Sequence, residues 1–387
     1  MNSINKEIKE NKQVEIHLWN FPDTIYFLIK PNIRRIYFNK IYSYYGSKRK
    51  AAKNLGISLK TIRQYENGFS IKHKKKHPQY TPIKFFKKTS HLFDQGFIEK
   101  LEQNVVAIST RNGFDVKYPK LPIQESPELY NVIGHIIADG SAPKRSTPYY
   151  VNSCQCLRNL FKKNLKLLGT SEISEYKIGN KVFVNFSKAI TDILSHFFDI
   201  LFTFPNRIPK QIFNSSLECK TAFLQALFDD DGTMTSQLVV GIHNLNIMRE
   251  IKSLIDSVGI KTNNLVIHHY TRKEYIHKKD KVTLSIPTKE YKKFRDLIGF
   301  SHPQKSKNLE VAIKRKDRRQ RTRDSKYIEK RILVILRDKP SKTIELANGL
   351  LFTWNGIMPH LDMLLKKGLI EKKGYKNEII WNIKNKI

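Results

Sequence analysis

Two stretches decide how this chain folds: Val132-Ile133-Gly134-His135-Ile136-Ile137-Ala138-Asp139-Gly140 and Leu224-Gln225-Ala226-Leu227-Phe228-Asp229-Asp230-Asp231-Gly232. Each reads as an apolar helix that ends in an acid followed by glycine. The terminal acids, Asp139 and Asp231, stand 92 positions apart. Gly134 and Ala138 lie four apart on one helix face, and Ala222 and Ala226 do the same on the other. Small residues at that spacing let two helix backbones approach closely. Gly140 and Gly232 are expected to turn the chain sharply out of each helix. Ser126-Pro127-Glu128 makes a helix start ahead of the first stretch, with a cap, a proline in the first turn and an acid just after it.

One pattern runs twice around these stretches. The first motif helix leads to an extended segment at Tyr149–Ser153 and a helix near Leu157–Leu168. Strands near Ser174–Ile178 and Lys181–Phe186 follow, then a helix near Ile190–Leu201. After the second motif come a strand at Gln237–His243 and a helix over Leu245–Val258. Strands at Leu265–Tyr270 and Lys281–Ile286 and a helix at Lys289–Ile298 complete the copy. Both copies read helix-strand-strand-helix-strand-strand-helix, which an internal duplication explains.

Two acids at the ends of adjacent helices suit metal-assisted phosphodiester cleavage. That reaction needs an activated water and a neutralised leaving oxygen, and divalent metal serves both. Mg²⁺ takes hard oxygen ligands and usually only one or two carboxylates. A fragment of a calcium-binding loop at Asp229-Asp230-Asp231-Gly232 is set aside, because Leu238 stands where such a loop needs glutamate. His135 reads as a satisfied polar group at the helix interface rather than a ligand.

The two stretches resemble the paired motif of LAGLIDADG (dodecapeptide-type) homing endonucleases in their single-chain, two-motif form. The phrases LPIQESPELY and NRIPKQIF ahead of the motifs, and IGFSHPQKSKNL after the second copy, fit as well. The resemblance spans about residues 120–310. It implies an α/β fold in which two pseudo-symmetric αββαββα repeats form a DNA-binding saddle. In that fold Asp139 and Asp231 are the catalytic, metal-binding acids, and the carbonyls of Ala138 and Asp230 help to ligate Mg²⁺ or Mn²⁺. A central basic residue in support of the transition state is also implied, with Lys188, Lys289, Lys181 and Lys281 as candidates. Ile137, Asp230 and His135 depart from the pattern, yet none removes a metal ligand.

The rest of the chain reads as apparatus for gripping DNA. Its 387 residues carry 70 Lys+Arg against 35 Asp+Glu, a net charge of +35. Such an excess points to a polyanionic partner, although a lysine-rich composition with solvated faces accounts for part of it. Ser47–Leu55 suits a helix, Gly56-Ile57 a turn, and Ser58 the cap of a second helix through Glu66. Ala52, Gly56 and Ile62 are the small, turn and anchoring residues of a helix-turn-helix. The second helix resembles the recognition helix of phage-repressor-type domains, which turns Ser58, Lys60, Thr61, Arg63 and Gln64 toward the major groove or its phosphates. Residues 71–90 read as a basic linker. Residues 301–331 carry the densest basic patch, with Lys314, Arg315, Lys316, Arg318 and Arg319 expected on phosphate. From Tyr327 onward, helices at Tyr327–Arg337, Thr343–Ala347 and Gly356–Lys367 precede a hairpin. The phrase LLKKGLIEKKG there resembles the junction of recognition helix and wing in winged-helix domains.

The expected domains are an all-α helix-turn-helix domain at 1–85, a connecting segment at 86–126, repeats at 127–215 and 216–304, a basic linker at 305–326 and an α+β winged-helix domain at 327–387. The expected function is a site-specific double-stranded DNA endonuclease. The alternative is a DNA-binding transcription regulator that keeps the scaffold without catalysis. Structured RNA is a second partner that the same basic surface accommodates. Cys154, Cys156 and Cys219 form neither a CxxC pair nor an even disulfide set, which points to a reducing compartment and no zinc ribbon. No apolar run reaches the length of a membrane span, and MNSINKEIKE has no apolar core of a signal peptide. A cytoplasmic monomer, nucleoid-associated in a prokaryote, is expected.

Overall fold

A computed structural model describes residues 15–67, 69–70, 76–77, 80–111, 113–143, 146–200, 207–269, 280–317, 325–374 and 379–384. The chain is mixed α/β with several antiparallel sheets. It divides into two compact units, one ending at Asp230 and the other beginning at Asp231.

The first unit opens on a sheet. Ile25, Phe27 and Ile29 alternate along the strand Ile25–Ile29 and are fully buried, as period-two packing on one face requires. This strand pairs with Val105–Thr110 on one side and Thr81–Pro82 on the other. Val116–Lys117 and Thr170–Ser171 extend the sheet beyond Val105–Thr110. Among the described residues five helices belong to this region: α1 (Pro31–Tyr45), α2 (Lys48–Asn54), α3 (Leu59–Asn67), α4 (Ile83–Thr89) and α5 (Gln95–Gln103). Their core is aromatic. Tyr37 stacks on Phe93 at 5.1 Å between ring centroids, and Phe38 on Phe85 at 5.9 Å.

The helix pair α2–α3 forms for local reasons. The Ser47 hydroxyl caps α2 by accepting from Lys50 N–H. Gly56 takes the left-handed conformation, φ +67°, which glycine adopts without steric cost. Ala51, Ala52 and Ile62 are buried between the helices. Glu66 fastens α3 by accepting from Lys48 at 2.7 Å and Tyr42 at 3.0 Å.

Three expectations are corrected in this region. The N-terminal segment is not all-α, because Ile25–Ile29 and Thr81–Pro82 are strands. The basic linker ends earlier than residue 90, because Ile83, Phe85 and Phe86 bury one face of α4. The connecting segment at 86–126 contains regular structure of its own, α5 and the strand Val105–Thr110. Asp94 caps the start of α5 and Asn104 ends it.

The first motif lies on α6 (Pro127–Asp139). Ser126 accepts from Leu129 N–H and Pro127 occupies the first turn. There follow α7 (Gln155–Leu165), α8 (Lys188–Phe198), α9 (Lys210–Asn214) and α10 (Leu217–Asp230), which carries the second motif. The associated sheet has the order Gly140–Ser141, Tyr149–Val151, Lys181–Asn185, Ser174–Ile178.

The second unit contains a sheet of the same order: Gly232–Met234, Leu238–Ile242, Lys281–Ile286, Val266–His268. Both sheets are antiparallel throughout, and in each a helix joins the second strand to the edge strand; here it is α11 (Leu245–Ser257). Leu238, Val240, Val282, Leu284 and Ile286 are buried, and Thr283 and Ser285 between them are not. After α12 (Tyr291–Leu297) and α13 (Pro303–Asp317), Asn308 donates to the Met234 carbonyl at 2.7 Å and ties α13 to the sheet. The unit ends on α14 (Ser325–Asp338), α15 (Thr343–Gly349) and α16 (Trp354–Lys366), packed on strands in the order Ser341–Lys342, Ile380–Ile383, Ile370–Lys373. Ile332, Leu346, Ile357, Leu361, Leu364 and Trp381 form its separate core. No helix among the described residues is long and apolar enough to cross a membrane.

Candidate active site at the motif helix ends

Helices α6 and α10 pack side by side and run in the same direction. Asn131 donates to the Ala222 carbonyl at 3.4 Å, Gly134 faces Ala226, and His135 meets Asp230. The partners rise together along both helices, so the helices end at the same level. A Cβ on Gly134 would lie 2.7 Å from the Ala226 Cβ and 2.7 Å from the Phe223 carbonyl oxygen. No real side chain fits there, and the backbones meet because residue 134 has none. Asn164 of α7 donates to Asn131 at 2.9 Å and extends this contact into a buried polar chain.

The glycine after the first motif works differently from expectation. Gly140 has φ −99° and ψ 170°, an extended conformation rather than a left-handed turn. It is needed because a Cβ there would stand 2.5 Å from Ile136 Cα and 2.6 Å from its carbonyl oxygen. Gly232 likewise begins a strand.

At the helix ends lies a buried cluster. The side chains of His135 and Asp230 are fully buried and meet at 2.7 Å through Nδ1 and Oδ2. The Tyr150 hydroxyl donates to Asp230 Oδ1 at 2.8 Å, and Asn152 Nδ2 donates to the same oxygen at 2.9 Å. His135 Nε2 is buried and has no hydrogen-bond partner among the described residues. The expectation of a fully satisfied histidine is therefore corrected at that atom: the rings of Tyr150 and Phe161 flank the imidazole at 5.1 and 6.0 Å and offer it no acceptor or donor. Burial pushes the Tyr150 phenol far above its ordinary range. The charge and hydrogen bond of Asp230 add to the shift, followed by the charges of Asp139 and Asp229.

Asp139 and Asp231 are half-buried, whereas Asp229 is buried. Ala138, the residue before Asp139, is half-buried, and Asp230 directs its carboxylate inward. Among the described residues no group of three or more His, Cys, Asp or Glu is gathered as a metal centre; two acids with backbone carbonyls fall below that number.

The candidate basic residues are dispersed. Lys188 pairs with Asp192 at 3.2 Å and donates to the Pro143 carbonyl at 3.3 Å. It lines a cavity of about 590 Å³ with Thr24, Arg111 and Thr147. Lys181 and Lys289 are exposed. Lys281 lies along Gly241, where a Cβ would come within 2.5 Å of its Cε.

On α3, Ser58 accepts from Thr61 N–H, and Lys60 and Arg63 are exposed. Thr61 and Gln64 are half-buried and line a cavity of about 470 Å³ with Tyr26, Tyr65, Tyr80 and Asp115. Lys314 is exposed on α13, which also includes Arg315 and Lys316. Arg318 and Arg319 lie outside the described residues, as do Lys72, Lys74 and Lys75 of the basic linker.

Sequence reasoning missed the roles of Tyr150 and Asn152. The available signal was two residues with polar groups, two apart, in and just after the strand Tyr149–Val151.

No family model matches the chain. The isomerizing glutamine–fructose-6-phosphate aminotransferase of Methanocaldococcus jannaschii is 27% identical over 208 residues. The match covers 51% of this chain, and the chain spans 18% of the length of that protein. Among solved structures, I-DmoI in complex with DNA and Mn is 14% identical, covering 45% of this chain and 96% of its own, with a TM-score of 0.34. The homing endonuclease I-WcaI bound to its DNA recognition sequence is 21% identical, covering 48% and 86%, with a TM-score of 0.32. Full-length DUF199/WhiA from Thermatoga maritima is 15% identical, covering 62% and 92%, with a TM-score of 0.35. At scores near one third, such likeness by itself assigns neither fold nor chemistry to this chain.

Proposed function

We propose that the chain is a site-specific double-stranded DNA endonuclease of the LAGLIDADG homing type, with Asp139 and Asp231 as the acids that hold a divalent metal. One observation carries this reading: α6 and α10 run parallel, closed on each other at Gly134, and finish together in acids. The donor chemistry fits Mg²⁺ or Mn²⁺. The carboxylates of Asp139 and Asp231 and the carbonyls of Ala138 and Asp230 are all hard oxygens, and both acids are accessible. When bound, the metal supplies water activation and charge neutralisation at the phosphate. The Asp230 carboxylate takes no part in this, because His135, Tyr150 and Asn152 hold it inside the protein.

In this reading α2 and α3 form a helix-turn-helix that presents Ser58, Lys60, Thr61, Arg63 and Gln64 to DNA. The basic segment from Lys314 to Arg319 grips phosphate, and residues 327–387 act as a winged helix. Lys188, Lys181, Lys281 and Lys289 stay candidates for the supporting base.

The test is incubation of the purified chain with a randomised-site DNA library, with Mg²⁺ and with chelator, scoring cleaved and merely bound sequences. Asp139→Asn and Asp231→Asn each abolish double-strand cleavage and leave binding within a few-fold of the parent. Full cutting by either variant refutes the assignment. A second reading, a DNA-binding transcription regulator that does not cut, is favoured by the separate three-helix, three-strand core of residues 325–384, a reading module beyond what cutting requires. It predicts bound but never cleaved sequences in the same library with either Mg²⁺ or Mn²⁺.

A further inference from the structure

Helix α7 opens on Cys154-Gln155-Cys156, and the two thiols converge. Their Sγ atoms stand 2.7 Å apart, well inside van der Waals contact. Side chains at i and i+2 within a helix do not face one another. These do because Cys154 is the N-cap, with the extended backbone φ −76°, ψ 115°, which brings its side chain over the first turn. Both cysteines are half-exposed, whereas Cys219 is buried. Arg158, one turn on, donates to the carbonyls of Asn152 at 3.0 Å and Ser153 at 2.9 Å and fixes the backbone just ahead of the pair. Two thiols this close at the first turn of a helix are placed for exchange with each other through a mixed disulfide.

We propose that Cys154 and Cys156 are a redox-active dithiol, closed to a disulfide by exchange with a small disulfide of the glutathione class, and that closure acts on the Asp230 cluster. The Cys154 thiolate attacks one sulfur of the reagent, breaks its S–S bond and releases one thiolate. Cys156 then gives its proton to that thiolate and attacks Cys154 Sγ. The mixed disulfide breaks, and the second half of the reagent leaves as a thiolate that takes its proton from solvent. The protein loses two electrons and two protons in all, and the reagent is reduced to two thiols. Burial, the hydrogen bond with Cys154 and the charge of Cys154 push the Cys156 thiol up to about 11, so Cys156 keeps its proton until this second step.

The link to the helix ends is one residue long. Asn152 Oδ1 accepts from Cys154 N–H at 2.8 Å, and Asn152 Nδ2 donates to Asp230 at 2.9 Å. Ring closure over the N-cap resets the backbone torsions on which the first of these bonds depends, and the second moves with it. The pairing holds whether or not the chain cleaves DNA.

The test uses the full chain, equilibrated in glutathione buffers from reducing to oxidising, acid-quenched, alkylated and weighed by mass spectrometry. Two of the three cysteines lose alkylation together in one two-electron step. Cys154→Ser and Cys156→Ser each remove that step, and Cys219→Ser retains it. Full alkylation at the most oxidising ratio, or a persistent mixed adduct at one cysteine, overturns the dithiol. The coupling is read from the His135 ring-proton resonance, which shifts on oxidation of the parent and stays fixed in Cys156→Ser. A resonance unmoved while the disulfide forms overturns the coupling.

Discussion

The Asp230 carboxyl lies where solvent does not reach, and its neighbours explain why it is tolerated. His135, Tyr150 and Asn152 direct donors onto its carboxylate. Removing one member of such a buried group strands the others, which costs more than the bonds alone are worth. Asp230→Ala should therefore lower stability by about 3–5 kcal/mol, the scale set by broken buried ion pairs. Asp230→Asn, which still offers an oxygen to Tyr150, should lose less. Urea unfolding of the parent and the two variants checks this ranking, and an alanine variant as stable as the parent would falsify it. None of this pairing was legible in the sequence. Asp230 reads in sequence as a departure that adds charge near a metal site, and His135 as a satisfied polar group whose partner is not named. They are 95 positions apart, and only the packing of two helices reveals them as partners.

At the level of elements, the contact between α6 and α10 was legible. Apolar length, the Ser126-Pro127 start and small residues four apart each have a local physical cause. Gly134→Ala places a Cβ against the Ala226 Cβ and the Phe223 carbonyl. Overpacking of this kind costs about 1–3 kcal/mol. Adding Ala226→Gly should restore only part of the loss, because the Phe223 carbonyl belongs to the backbone and stays. Thermal melts of the two single variants and the double variant measure it, and full rescue contradicts the geometry. The N-terminal sheet was not legible. Its partner strands Thr81–Pro82, Val116–Lys117 and Thr170–Ser171 are two residues long, too short for alternation to register. Their pairing depends on residues far away in the chain. Gly140 was read as a turn residue, because sequence cannot distinguish a glycine that needs a left-handed φ from one that needs room.

For the molecule as a whole, a net charge of +35 sets the expectation for DNA binding. Affinity should fall by on the order of 10³ or more between about 50 and 200 mM salt, as counterions are released from phosphate. Lys60→Ala and Arg63→Ala should each reduce the slope of log K against log salt by about 1 where the side chain meets a phosphate. Fluorescence anisotropy over a salt series reads both, and binding indifferent to salt rules out the nucleic-acid reading. Composition points to this partner class directly, because charge is additive along a sequence in a way that packing is not. The duplicated order of strands was legible for a related reason, since each copy repeats the same local signals. The bond between His135 and Asp230 breaks that repetition. At the 92-residue offset of the two copies, His135 corresponds to Leu227 and Asp230 to Ala138. A dimer of two first copies would bury an imidazole against alanine, and a dimer of two second copies would bury a carboxylate against leucine. At this pair each copy is therefore matched to the other and mismatched to itself, so a homodimer of either copy would have to do without the pair.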